Sequence, residues 1–189
     1  GIKVAEVKEE TGKPAFIRDV VDVINGQRGD DLPVSAFVGR EDGTFPSGTA
    51  AYEKRGIAVN VPEWQVDNCI QCNQCSYVCP HAAIRPFLLT DEELAAAPEG
   101  TVAKQGIGNT KGYKFKIQVS VYDCTGCGNC ADVCPSKEKA LIMKPLETQL
   151  AEADRWTYMH EKVGYKDTVV DKYANVKNSQ FAQPLFEFS

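Results

Sequence analysis

No cysteine of this 189-residue chain lies outside two short runs, and none is left over to build a disulfide framework. Secreted disulfide domains spread their cysteines along a short chain rather than clustering them. Long apolar runs are also missing, since none approaches the roughly 18 residues of a membrane span. The opening residues, GIKVAEVKEE, alternate charge with small apolar side chains and lack the apolar core of a signal peptide. A cytoplasmic chain made under reducing conditions is therefore expected. There is no basic excess either: the net charge is −5 and the pI near 5.1, which argues against a nucleic-acid partner. No nucleophile–base pair and no phosphate-cradling glycine loop appears, so no catalytic residue is assigned. What remains is a soluble globular composition, 43% hydrophobic and 25% charged, with room for one ordinary domain or two small ones.

The eight cysteines stand at Cys69, Cys72, Cys75 and Cys79 and again at Cys124, Cys127, Cys130 and Cys134. Each of the second set follows its counterpart by 55 residues, and each run closes on a proline, Pro80 or Pro135. Zinc sites use separated C-x2-C knuckles or paired Cys/His arms. Three thiols two residues apart, with a fourth at x3 before proline, are instead the bacterial ferredoxin run C-x2-C-x2-C-x3-C-P, which binds 4Fe–4S clusters. In that pattern the fourth cysteine ligates the other cluster. The pattern thus implies one cluster on Cys69, Cys72, Cys75 and Cys134, and a second on Cys124, Cys127, Cys130 and Cys79. Neither run completes its cage alone, so the halves are expected to fold together, with metal binding coupled to folding.

Gly126 and Gly128 in the second run let backbone N–H groups approach sulfur in conformations barred to most residues. Their counterparts are Gln71 and Asn73, of which asparagine tolerates positive φ. Hydrogen bonds to sulfur, burial and charge tune cluster potential, so two unequal potentials are expected; glycines serving turn geometry alone are the competing reading. Two oxidised clusters with their thiolates would bring the chain to about −9. Lys54, Arg55, His81, Arg85 and the lysines of residues 111–116 could offset part of that. His81 reads as a packed, hydrogen-bonded side chain or as a potential-tuning one; His160 is no ligand. Glu53, Lys54 and Arg55 read as a structural ion-pair group rather than a catalytic one.

The expected fold is α+β: a two-cluster ferredoxin-like domain over residues 61–144, with a small α+β domain over 1–60 before it. Phe16, Val20, Val23 and Ile24 share a helical face, with Pro14 in its first turn and Gly26 past its end. A short strand is expected around Ser35–Val38 and another where Ile57, Val59 and Val61 alternate. Each cysteine run is expected between strands, the clearest carrying Tyr113, Phe115, Ile117, Val119 and Val121 on one face. Residues 90–112 form an acidic helix signal and a glycine-rich loop, read as an insertion lying on the surface or against a partner. From Pro145 the spacing of Leu146, Leu150, Ala153, Trp156, Met159 and Val163 predicts a helix, followed by an extended linker to 189. Phe181, Leu185, Phe186 and Phe188 read as an exposed apolar end that another surface would cover.

The segments DDLPVSAF, DGTFPSGTAAYEKRGIAVNVPEW and VKNSQFAQPLFEFS, taken with the two cysteine runs, resemble pyruvate:ferredoxin (flavodoxin) oxidoreductase. The resemblance spans nearly the whole chain and is weakest over residues 1–14. It implies an internal piece of that multidomain enzyme, in which an EKR segment precedes a two-cluster domain and a thiamine diphosphate domain follows. The implied function is an intramolecular electron relay. The whole enzyme would oxidatively decarboxylate pyruvate to acetyl-CoA and CO2 in anaerobic metabolism, using thiamine diphosphate, Mg and a third 4Fe–4S cluster outside this chain. Implied partners are the other domains of the same enzyme, as a homodimer, and external ferredoxin or flavodoxin as electron acceptor. The alternatives are a stand-alone ferredoxin-type carrier with an accessory domain and a zinc-stabilised interaction module.

Overall fold

The computed structural model describes residues 12–170 and 175–185. The chain divides into two compact units, one within residues 1–53 and one within 54–187.

The described part of the first unit, residues 12–53, is helical and turn-rich and holds no strand. Its main helix contains a π turn, Ile17–Val21, continuing into α1, Asp22–Asn25. The wide turn inserts an extra residue and rotates the apolar face. Ile17, Val20 and Val21 are consequently buried, while Ile24, expected on that face, is 41% exposed. Phe16 meets the Phe45 ring edge-on at 5.2 Å, and the Arg40 guanidinium sits 4.6 Å from its centroid. The strand expected at Ser35–Val38 is instead a 3-10 turn, Val34–Phe37, entered from the extended Pro33. Three apolar residues after a proline are too few for periodicity to separate strand from turn.

The second unit repeats one plan twice. Strand β1, Asn60–Trp64, leads into the first cysteine run, whose short helix α2 is Gln74–Tyr77 and whose exit strand β2 is Ile84–Leu89. After α3, Asp91–Ala95, and β3, Lys104–Gln105, strand β4, Lys114–Val119, leads into the second run. That run carries α4, Asn129–Asp132, and exits into β5, Leu141–Pro145. The strand preceding Cys69 begins at Asn60, later than the alternation of Ile57 and Val59 suggested; these two side chains are 67% and 80% exposed.

Pairing is crossed between the repeats. Antiparallel β1–β5 joins the strand entering the first run to the strand leaving the second, and antiparallel β2–β4 does the converse. Val61 and Ile84, with Phe115, Ile117 and Val119 of β4 and Val121 just beyond it, form the core. The expected β4 face is therefore observed. Its opposite face is buried as well: Lys116 and Gln118 lie beneath α5, Ala151–Lys162, which also covers Phe87 and Leu89 with Met159 and Val163. α5 starts six residues beyond Pro145, because Pro145 still belongs to β5 and a 3-10 turn, Leu146–Thr148, intervenes.

The insertion is integrated into the sheet, since β3 pairs with β4. Thr90 caps α3 through a reciprocal capping box with Glu93, worth about 1 kcal/mol. Two further short helices follow α5, α6 at Asp167–Val170 and α7 at Val176–Ser179. Phe181, expected to be exposed, is buried edge-on against Phe115 at 6.1 Å between centroids. The Phe186 and Phe188 of the expected apolar end lie outside the described residues.

Candidate iron–sulfur sites

The crossed pairing has a direct consequence for the thiols. Cys134 stands before β5, which lies beside β1, the strand entering Cys69; Cys79 stands before β2, beside β4, the strand entering Cys124. One cavity is accordingly lined by Cys69, Cys72, Cys75 and Cys134, walled by Trp64, Ile117 and Leu141. A second is lined by Cys79, Cys124, Cys127 and Cys130, walled by Pro62, Ile84 and Val119. Each gathers three thiols of one run and the last thiol of the other. All eight cysteines are free.

Local backbone geometry serves both cavities alike. Gln71 and Asn73 have φ of 57° and 62°, Gly126 and Gly128 of 73° and 80°. The left-handed turns aim peptide N–H groups inward: Gln71 N donates to Cys69 Sγ and Gly126 N to Cys124 Sγ, each at 3.4 Å. Asparagine does substitute for glycine at 73, and glutamine does so at 71. Both side chains are buried and tie neighbouring segments to the first loop. Gln71 Nε2 donates to the Gln105 carbonyl and Asn73 Nδ2 to the Lys177 carbonyl, each at 2.8 Å. Gly126 is confined more tightly, because a Cβ there would stand 2.8 Å from the Asn60 carbonyl oxygen.

Electrostatics describe what the thiols can hold. Burial, reinforced by neighbouring thiols, pushes Cys75 far up and Cys130 up to about 12. Burial raises Cys69 and Cys124 too, opposed in part by the peptide N–H bonds just described. Such thiols become thiolates only beside a cationic partner that repays the desolvation. Among the described residues, no three His, Cys, Asp or Glu groups converge closely enough for one metal ion. Two cages of four soft sulfur donors in apolar walls fit an inorganic cluster bonded at its corners.

Other candidate residues fall around these cages. His81, exposed, stands at the rim of the second cavity rather than packed inside. Lys54 pairs with Asp123 at 2.8 Å, beside Cys124, as its structural reading anticipated. Lys104, not singled out in the sequence, donates to the carbonyls of Val66 and Cys69 at 2.8 Å. Trp64 also escaped sequence reading, although its place 55 residues before Val119 in the repeat marks it as a cavity wall.

Fold and cages together define an iron–sulfur segment of the two-cluster ferredoxin type. Residues 65–137 match the 4Fe-4S dicluster domain, and residues 3–58 match EKR, a domain of unknown function. The chain is 56% identical over 93% of its length to pyruvate-flavodoxin oxidoreductase of Enterobacter agglomerans, covering 15% of that protein. It is 58% identical over 95% of its length to pyruvate:ferredoxin oxidoreductase of Moorella thermoacetica, again covering 15%. It is 45% identical over 92% of its length to a mitochondrial pyruvate dehydrogenase (NADP(+)) of Euglena gracilis, covering 9%. The chain is thus similar over nearly its whole length to pyruvate:ferredoxin (flavodoxin) oxidoreductases and spans about 15% of the length of the first two of these relatives. Among the described residues, no helix is long and apolar enough to cross a membrane.

Proposed function

We propose that this chain is the electron-relay segment of a pyruvate-oxidising 2-oxoacid oxidoreductase. Cys69, Cys72, Cys75 and Cys134 would hold one 4Fe–4S cluster, and Cys124, Cys127, Cys130 and Cys79 the other. The observation that carries this reading is the pair of cavities, each lined by three cysteines of one run and the last of the other. Bound clusters of this kind take up and pass on single electrons at low potential. The chain's own contribution is to supply eight thiolates, aim peptide N–H groups at their sulfurs and line the cages with apolar side chains that limit water. Loading is coupled to folding, because each cage needs both halves of the repeat.

The names of the relatives extend the reading to the whole enzyme. Oxidative decarboxylation of pyruvate to acetyl-CoA, with thiamine diphosphate, Mg and a third 4Fe–4S cluster in other domains, would feed electrons into this segment. Ferredoxin or flavodoxin would receive them, in a cytoplasmic homodimer serving anaerobic metabolism. Metal and sulfide analysis of the anaerobically purified chain tests the core of the proposal. About eight iron and eight acid-labile sulfide per chain are expected; zinc without sulfide overturns it.

A further inference from the structure

The two cages are built on one repeat, so a difference between them at matched positions is a candidate for tuning. Trp64 and Val119 occupy the same place, 55 residues apart, and wall the first and second cavities respectively. Valine offers no donor. The Trp64 indole Nε1–H is buried and meets no partner at full hydrogen-bond geometry. The indole belongs to the wall of the same cavity as the Cys69, Cys72, Cys75 and Cys134 thiols. An indole N–H is a donor only, and burying one without an acceptor forfeits its hydration with nothing in return. The ring itself is held in place, edge-on to Phe115 at 6.1 Å and with Lys116 Nζ 5.6 Å from its centroid.

We infer that Trp64 is a potential-tuning residue whose indole N–H donates to a sulfur of the cluster held by Cys69, Cys72, Cys75 and Cys134. This rests on the cluster assignment proposed above. An added electron increases the negative charge on the sulfurs, so a fixed donor favours the reduced form and raises the potential. Cys134 Sγ accepts from Ala140 N at 3.3 Å and Cys69 Sγ from Gln71 N at 3.4 Å, so the same cage carries two peptide donors besides the indole. Trp64 acts on that cage alone, because the equivalent wall of the other is an aliphatic side chain.

The test is an EPR-monitored redox titration of the cluster-loaded full chain with Trp64→Phe. A second form carries benzothienylalanine at position 64, which keeps the shape of tryptophan and replaces the N–H by sulfur. Both changes are expected to lower one cluster's reduction equilibrium three- to tenfold, about 30–60 mV at 59 mV per decade, and to leave the other unmoved. The affected transition should be the one missing from the Cys72→Ala, Cys134→Ala double variant. The inference is overturned if neither transition moves, if both move together, if the other cluster moves, or if only Trp64→Phe has an effect, which would assign the change to water entry. Absence of iron and sulfide from the parent chain would instead refute the cluster assignment.

Discussion

Gly126→Ala and Gly128→Ala place the same methyl group on two residues of one loop, and the structure separates their consequences. Both residues have positive φ, 73° and 80°, so alanine pays about 1–2 kcal/mol at either position for the left-handed conformation. At Gly128 nothing stands within 4 Å of the new Cβ. At Gly126 the Cβ would lie 2.8 Å from the Asn60 carbonyl oxygen and 3.2 Å from Ala58 Cβ. Asn60 opens β1, opposite Pro145 of β5, so relief must displace a paired strand. Overpacking of this kind adds about 1–3 kcal/mol. Gly126→Ala should therefore destabilise the second cage about 5- to 150-fold more than Gly128→Ala, since 1.4 kcal/mol is tenfold. Anaerobic bleaching of the visible absorption at fixed temperature reads this as a ratio of rates. Equal rates, or faster loss in Gly128→Ala, would refute the steric argument and leave backbone conformation as the sole constraint.

Further outcomes follow from charge, capping and metal. Burial lowers the Lys116 ammonium to about 8, with Glu152 opposing the shift. Against an ordinary value near 10.4, that is a penalty of about 3 kcal/mol that is present in full below pH 8. From there towards pH 10 the unfolded chain keeps a proton that the folded chain has released, so stability rises with pH. Lys116→Met should raise stability by about 1–3 kcal/mol at pH 7 and flatten that rise, as read by anaerobic melts at pH 7 and 9. Thr90→Ala removes the capping box and should lower stability by about 1 kcal/mol in the same assay. Chelation of iron under anaerobic conditions should collapse hydrogen-exchange protection along β1, β2, β4 and β5 together, because each cage joins both halves; retained protection would contradict the coupling.

The parts legible in the sequence are those with a rigid period. Eight thiols at a constant offset specify two cages without reference to any other residue. The apolar alternation of β4 likewise needs only one buried face to be recognised, and Phe115, Ile117, Val119 and Val121 all lie in the core. Its second buried face was not legible: Lys116 and Gln118 look solvent-facing until α5 is known to lie on them. The π turn at Ile17–Val21 breaks the helical period that local spacing assumes, so Ile24 leaves the apolar face. Phe181 was misread because its cover, Phe115, is distant in sequence. Trp64 carries a signal only when the repeat is laid over itself, where a donor faces one cage and an aliphatic group the other.

The claim that each cage borrows its last ligand from the opposite run is tested most directly by the iron content of two double variants prepared anaerobically. With crossed ligands, Cys72→Ala, Cys134→Ala removes two ligands from one cluster and should retain about four iron per chain, whereas Cys127→Ala, Cys134→Ala strikes both clusters and should retain far less. The reverse order, with about four iron kept when Cys127 and Cys134 are removed and little kept when Cys72 and Cys134 are, would show that each run completes its own cage and would contradict the account.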